Sequence, residues 1–168
     1  MIIKTGRTGL AARAGHDLTI EITGWSVRVI IPDDGVAAAQ ITAELDLGSL
    51  AVREGTGGAK PLTDKDRGDI AKTARTILRQ PAASFTSTRV VPAGASGGAI
   101  DGTLTLNGRS QPVRLQVTSP APGRYRGGTT VRQTDFGITP YTGFFGALKL
   151  RDEIGIEFEM DLDRAARE

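Results

Sequence analysis

Residues 153–163 constrain the fold of this chain more than any other stretch. Ile154, Ile156, Phe158, Met160 and Leu162 share one parity, while Glu153, Glu157, Glu159, Asp161 and Asp163 share the other. Along a β-strand successive side chains point to opposite faces, so this register buries one set and hydrates the other. A helix turns about 100° per residue and would mix the two sets around its circumference. The segment is therefore a strand with one wet face, and its apolar face needs other strands to cover it.

The rest of the chain supplies them. Leu18, Ile20 and Ile22 alternate with Thr19, Glu21 and Thr23. After Gly24 the phase shifts, and Trp25, Val27, Val29 and Ile31 alternate with Ser26, Arg28 and Ile30. A glycine at a phase change predicts a bulge or bend within one long strand. Ile41, Ala43, Leu45 and Leu47 make a further alternating run, as do Ile100, Leu104 and Leu106, and then Val113, Leu115 and Val117. Weaker strands are expected at 2–5, 84–91 and 124–133. Asn107-Gly108 is a tight-hairpin signal between two of these strands. Glycine accounts for 22 of 168 residues with no period, which reads as turns and bends between many short elements.

One stretch has a different period. Ile70, Ala74, Ile77 and Leu78 fall at i, i+4, i+7 and i+8, the spacing of one helix face. Thr63 is placed to cap its start with Asp66 three residues on, and Pro81 follows its end. The reading is all-β with one inserted amphipathic helix over about 63–79, the whole of 1–168 forming a single domain. Seven or more amphipathic strands bury their apolar faces only by closing into a barrel or stacking as a sandwich.

Composition removes several classes of function. Cysteine is absent and histidine occurs once, so disulfides, thiol catalysis, thiolate metal sites and multi-histidine metal centres are excluded. Lys and Arg total 21 against 19 Asp and Glu, a balance without the concentrated cationic footprint of a nucleic-acid binder. No apolar run approaches the roughly 20 residues of a helical membrane span. The first residues, MIIKTGRTGL, lack the pattern of a secretory signal, so a cytoplasmic location is expected for the chain as given.

The motifs that carry chemistry are weak. His16 stands in Gly15-His16-Asp17-Leu18, and neutral-pH titration would suit a general base. Adjacent strand residues point apart, however, so Asp17 orients it poorly, and a structural or ligand-contacting histidine is the alternative. Gly55-Thr56-Gly57-Gly58-Ala59-Lys60 lacks the spacing by which a phosphate loop converges amides and lysine, and reads as a loop leading into the helix. The stretch 64–69 opens like a calcium loop but puts Gly68, Asp69 and Arg75 where that loop needs an oxygen ligand, a glycine and a carboxylate. No metal or cofactor is expected. Tyr141-Thr142-Gly143-Phe144-Phe145-Gly146 holds three of the chain's eight aromatics, and is either a core plug or an apolar lid over a greasy ligand.

Several motifs, in order over nearly the whole chain, resemble the YceI-like family of lipocalin-like barrels. They are Gly15-His16-Asp17-Leu18 before a long bent strand, the run AELDLGSL at 43–50 ending the strand before the helix, and PAASFTS at 81–87. The most specific are GTLTLNG at 102–108 followed by Gln111-Pro112-Val113, and Asp135-Phe136-Gly137-Ile138. The last lacks every other kinase element, which rejects that reading. The chain departs from the family pattern in a helix without the usual aromatic run and in the 141–145 aromatic cluster, and it is expected to lack the export signal that many relatives carry.

The resemblance implies an eight-stranded antiparallel barrel with a helix, holding a polyisoprenoid, such as an isoprenoid quinone, or a similar lipid inside, with no catalysis. The candidate contacts to such an apolar lipid are His16, Trp25, Leu45, Phe85, Leu104, Leu115, Phe136, Tyr141, Phe144, Phe145 and Phe158. A small hydrolase or isomerase using His16, or a barrel filled by its own side chains and acting as an interaction module, are the alternatives, and a homodimer stays open. Burying an alkyl chain contributes about 0.8 kcal/mol per CH₂ without polar specificity, so the residues do not name the ligand.

Overall fold

The computed structural model describes residues 1–162, the side chain of Phe144 excepted. Asp163, assigned above to the last strand, lies outside the described residues. In chain order the strands and the helix are β1 (Ile2–Lys4), β2 (Arg7–Thr8), β3 (His16–Ile30), β4 (Gln40–Gly57), α1 (Asp64–Ile77), β5 (Ala82–Pro92), β6 (Gly97–Leu106), β7 (Arg109–Ala121), β8 (Arg124–Arg132), β9 (Thr142–Gly143), β10 (Leu148–Leu150) and β11 (Glu153–Asp161). Eight of them close into an antiparallel barrel in the order β1-β11-β8-β7-β6-β5-β4-β3. The remaining three form a small sheet, β2-β10-β9, just outside it.

The alternation read from the sequence sets the wall. Leu18, Ile20 and Ile22 of β3, Leu45 and Leu47 of β4, and Leu104 and Leu106 of β6 are buried, while their neighbours of opposite parity are more exposed. The expected phase change at Gly24 is a register shift between Ile22 and Gly24, where the partner strand jumps from Leu50 to Asp46. Asn107 and Gly108 take φ of 54° and 76°, the left-handed pair that joins β6 to β7 in a tight turn.

Three expectations change. The strand thought to end near Leu50 runs on to Gly57, and Gly55 and Gly57 pair with Leu18 and His16 instead of forming a loop. Beyond the bend the buried parity switches to Leu50 and Val52, which hid the continuation from a period-2 reading. Ile31 lies past the end of β3 and is 53% exposed. Not all glycines mark turns: Gly102 and Gly127 sit inside strands, and a Cβ on either would come within 2.3 and 2.5 Å of the rings of Phe85 and Phe158. These two positions are bare so that an aromatic ring can lie across them.

The helix occupies the gap left by the bend in β4. The first half of β4 pairs with β5 through Thr42–Asp46, but its second half diverges and leaves carbonyls without a strand partner on that side. Arg75 of α1 donates to the carbonyls of Leu50, at 2.6 Å, and Gly48, at 3.2 Å. The helix starts in a capping box: Asp66 N–H donates to Thr63 Oγ1, and Thr63 N–H donates to the Asp66 carboxylate. Ala71 is the helix's buried residue, and Ile70, Ala74, Ile77 and Leu78 pack partly buried against the core.

Candidate functional site

The barrel encloses an apolar cavity. It offers about 220 Å³ to the centre of a water-sized sphere, against roughly 10–15 Å³ for one water. The lining comes from inward positions of the strands, from Ala74, Ile77 and Leu78 at the end of α1, and from the segment after β8. Only Thr5, Thr129 and Gln133 add an aliphatic hydroxyl or an amide, and no charged side chain is among the lining residues. Such a wall offers few groups with which to orient a polar substrate, and it rewards a slim apolar molecule mainly by area.

Seven of the sequence candidates come together here. Trp25, Leu45, Phe85, Leu104, Leu115, Tyr141 and Phe158 all line the cavity. Their strands place them by parity: Trp25 pairs with Leu45 across β3 and β4, and Phe85 with Leu104 across β5 and β6. Tyr141 is 44% exposed while still lining the interior, which marks where the cavity meets solvent at the helix end of the barrel.

Three candidates stand elsewhere. The His16 ring nitrogen Nε2 lies 2.8 Å from the Lys60 carbonyl and fastens the segment before α1 to the start of β3. Among the described residues that carbonyl is the ring's hydrogen-bond partner, so no carboxylate or hydroxyl is hydrogen-bonded to the imidazole to orient it as a general base. Phe136 is 1% exposed and belongs to the packed core without lining the cavity. It ends a 3-10 turn, Gln133–Phe136, pinned by Asn107 Nδ2 donating to the Phe136 carbonyl and by Asp152 accepting from Thr134. Phe145 is wholly exposed, with its backbone at φ 54° and ψ 34°. That left-handed conformation turns the chain so that the ring faces solvent, so Phe145 lines no part of the interior. The side chain of Phe144 is outside the described residues.

The sequence reading missed Met1, Ile3, Ile138 and Leu150 as lining residues. Ile3 and Leu150 sit in strands of three residues, too short for an alternation to declare itself. The seam at β1 is also new. β1 pairs only with Thr19–Glu21 of β3 and Gly155–Glu157 of β11, so beyond Met1 the described residues place no strand between those two edges. The cavity reaches this seam, where Met1, Trp25, Phe158 and Met160 line it. The Met1 ammonium donates to the Ile22 carbonyl at 3.2 Å, and its partial burial lowers its pKa.

Among the described residues no helix is long and apolar enough to cross a membrane, and no group of three acidic or histidine side chains is placed to hold a metal ion.

Residues 4–162 match the YceI-like domain family. The fold is similar to the crystal structure of Burkholderia cenocepacia BcnA, with a TM-score of 0.62 and 20% identity over 94% of this chain and 93% of that one. It is similar also to the Campylobacter jejuni YCEI protein that crystallizes with large solvent channels, with a TM-score of 0.56, 14% identity, and 84% and 82% of the two chains covered. A mutant CJ YCEI protein for nanotechnology applications gives a TM-score of 0.60 at 13% identity with the same coverage. No curated protein sequence matches the chain.

Proposed function

This chain belongs to the YceI-like domain family, whose barrel is generally a binding fold for apolar ligands, and from that premise we propose that it carries a polyisoprenoid or similar long apolar lipid in its interior. The observation that supports this most is the cavity itself: a space with room for many waters, walled mainly by aliphatic and aromatic residues with no charged side chain among them. Water gains little there, whereas an alkyl or prenyl tail gains about 25 cal/mol for each Å² it buries. The role is sequestration, storage or transport of that lipid, without catalysis. The candidate contacts are Trp25, Leu45, Phe85, Leu104, Leu115, Tyr141 and Phe158. His16 serves as a fastening for the loop before α1.

Filling the cavity tests this. Leu115 faces the interior from the middle of β7, and Leu115→Trp should weaken a fluorescent prenyl probe at least tenfold while the β-rich circular dichroism spectrum persists. A folded Leu115→Trp protein with parental probe affinity would overturn the assignment of the interior as the site.

A further inference from the structure

Leu10 and Phe145 are the two most exposed large apolar side chains among the described residues, and both project wholly into solvent. They belong to the two loops that carry the small sheet beside the barrel. Ala11 N–H donates to the Ala147 carbonyl at 3.0 Å, tying one loop to the other. Gly9 permits the approach: at φ +96° it is left-handed, and a Cβ there would meet the Ala147 oxygen at 2.3 Å. Among the described residues Phe145 is one of two non-glycine residues with positive φ, and it lies in the loop 144–147 that joins the antiparallel strands β9 and β10, where glycine or asparagine takes that conformation at less cost. A bulky residue held in that conformation with its ring in water is a local cost that packing does not explain.

The charge in the two segments that carry these side chains is one-sided. Residues 5–15 and 136–151 contain Arg7, Arg13, Lys149 and Arg151 and not one carboxylate, in a chain with 19 acidic residues. Arg7 is engaged with Asp17, but Arg13, Lys149 and Arg151 form no ion pair among the described residues. At the margins Asp17 accepts from Arg7 N–H and Asp152 from Thr134, which leaves Asp135 as the third flanking carboxylate. The barrel's other exposed apolar spot is different: Ile30, Ile31 and Val36 flank Asp33 and Asp34.

We propose that the paired loops form a docking surface for an anionic lipid bilayer. Leu10 and Phe145 enter the boundary between headgroups and acyl chains, and Arg13, Lys149 and Arg151 face the anionic headgroups. Two apolar points framed by free cations fit that surface, whereas the acidic spot at Ile31 is repelled by it. Tyr141 and Leu150, which line the cavity, flank these loops, so docking brings the helix end of the barrel to the bilayer. Loading or unloading of a lipid there rests on the apolar-ligand reading; the docking itself does not.

Co-flotation with vesicles of phosphatidylcholine alone and with 30% phosphatidylglycerol tests the proposal. The parent chain should float with the anionic vesicles, and 0.5 M salt should release most of it. Leu10→Glu and Phe145→Glu should each lower partitioning at least tenfold. Phe145→Gly, which suits the left-handed backbone, should lower it several-fold with no fall in thermal midpoint. Ile31→Glu should leave it unaltered. Absence of anionic-vesicle binding by the parent, or equal loss in Ile31→Glu, would overturn the proposal. So would tip variants that convert a dimer to a monomer in sedimentation without affecting vesicles, because the surface would then belong to a second copy of the chain. A prenyl probe titrated without vesicles separates the two readings: tip variants should retain its affinity, and loss of probe binding in the parent would remove the ligand assignment while leaving the flotation result intact.

Discussion

The strand wall and the segment from Gln133 to Leu150 use the same kinds of residue with opposite outcomes. In the wall, parity decides burial: Leu104 and Leu106 are at 8% exposure because each is two residues from an inward neighbour. In the segment, Phe136 is at 1% exposure and Phe145 is wholly exposed, although each is followed by a glycine. The ladder imposes a two-residue period on the wall, so one buried side chain orients the next. The segment has no such ladder beyond the short pairs of β9 and β10. Its side chains point where individual tethers send them, such as Asn107 to the Phe136 carbonyl and Ala11 to the Ala147 carbonyl.

The sharpest way to break this contrast is to truncate both rings. Phe136→Ala should cost about 3–5 kcal/mol of unfolding free energy, the range for a buried Phe→Ala change. Phe145→Ala should stay within about 0.5 kcal/mol, as surface changes do. Equal losses by chemical denaturation would mean that the segment packs as one plug and that the two rings are not differently placed.

The helix is the wall's substitute strand, and the next effect concerns its inner face. Ile77→Asp puts a carboxylate at the cavity lining and should cost about 3 kcal/mol or more, since the charge finds no partner there. An unchanged denaturation midpoint would show that α1 does not close the gap left by β4. A smaller loss is expected at the other end of the helix. Thr63→Ala removes the acceptor for the Asp66 N–H and should cost about 1 kcal/mol, with Thr63→Ser recovering most of it.

This division explains what could be read from the residues. The six alternating runs and the helical stretch were legible because each repeats a period over several residues, and the cap because Thr63 and Asp66 stand three apart before it. β2, β9 and β10 were not, being two or three residues long. The far half of β4 was lost because its buried parity switches at the bend, and a period read from Ile41 to Leu47 does not extend across a bulge. Of the site, the strand-borne candidates reach the cavity because inward parity leads there. His16 shares the inward parity of Leu18 but stands at the first position of β3, where it meets Lys60 instead of the interior, and Phe136 and Phe145 lie outside the barrel ladder, where proximity to a motif says nothing about which way the chain turns. Tyr141 and Phe145 are four residues apart, and the left-handed backbone at Phe145 itself turns its ring away from the interior that Tyr141 lines.

The smallest expected effect is an acid one. Asp152 accepts from the Thr134 hydroxyl at 2.6 Å and its N–H at 2.9 Å, and these bonds hold its pKa below the ordinary carboxylate range. Its contribution is therefore present above the unfolded-state pKa and is lost as pH falls through the lower folded value. Asp152→Asn should therefore lower stability slightly in the neutral region and converge with the parent in acid, which flattens the acid limb of a stability-against-pH curve. An acid limb identical to the parent's would show that this tether does not hold the segment.

The central claim is that the wall encloses an apolar ligand, and native mass spectrometry of gently purified protein tests it most directly. The account predicts a stoichiometric adduct that organic solvent extracts, that proves on identification to be a long apolar lipid, and that is missing from Leu115→Trp. A chain that shows only its bare mass and takes up no added prenyl lipid, or one that carries a charged polar molecule in its interior, would contradict it.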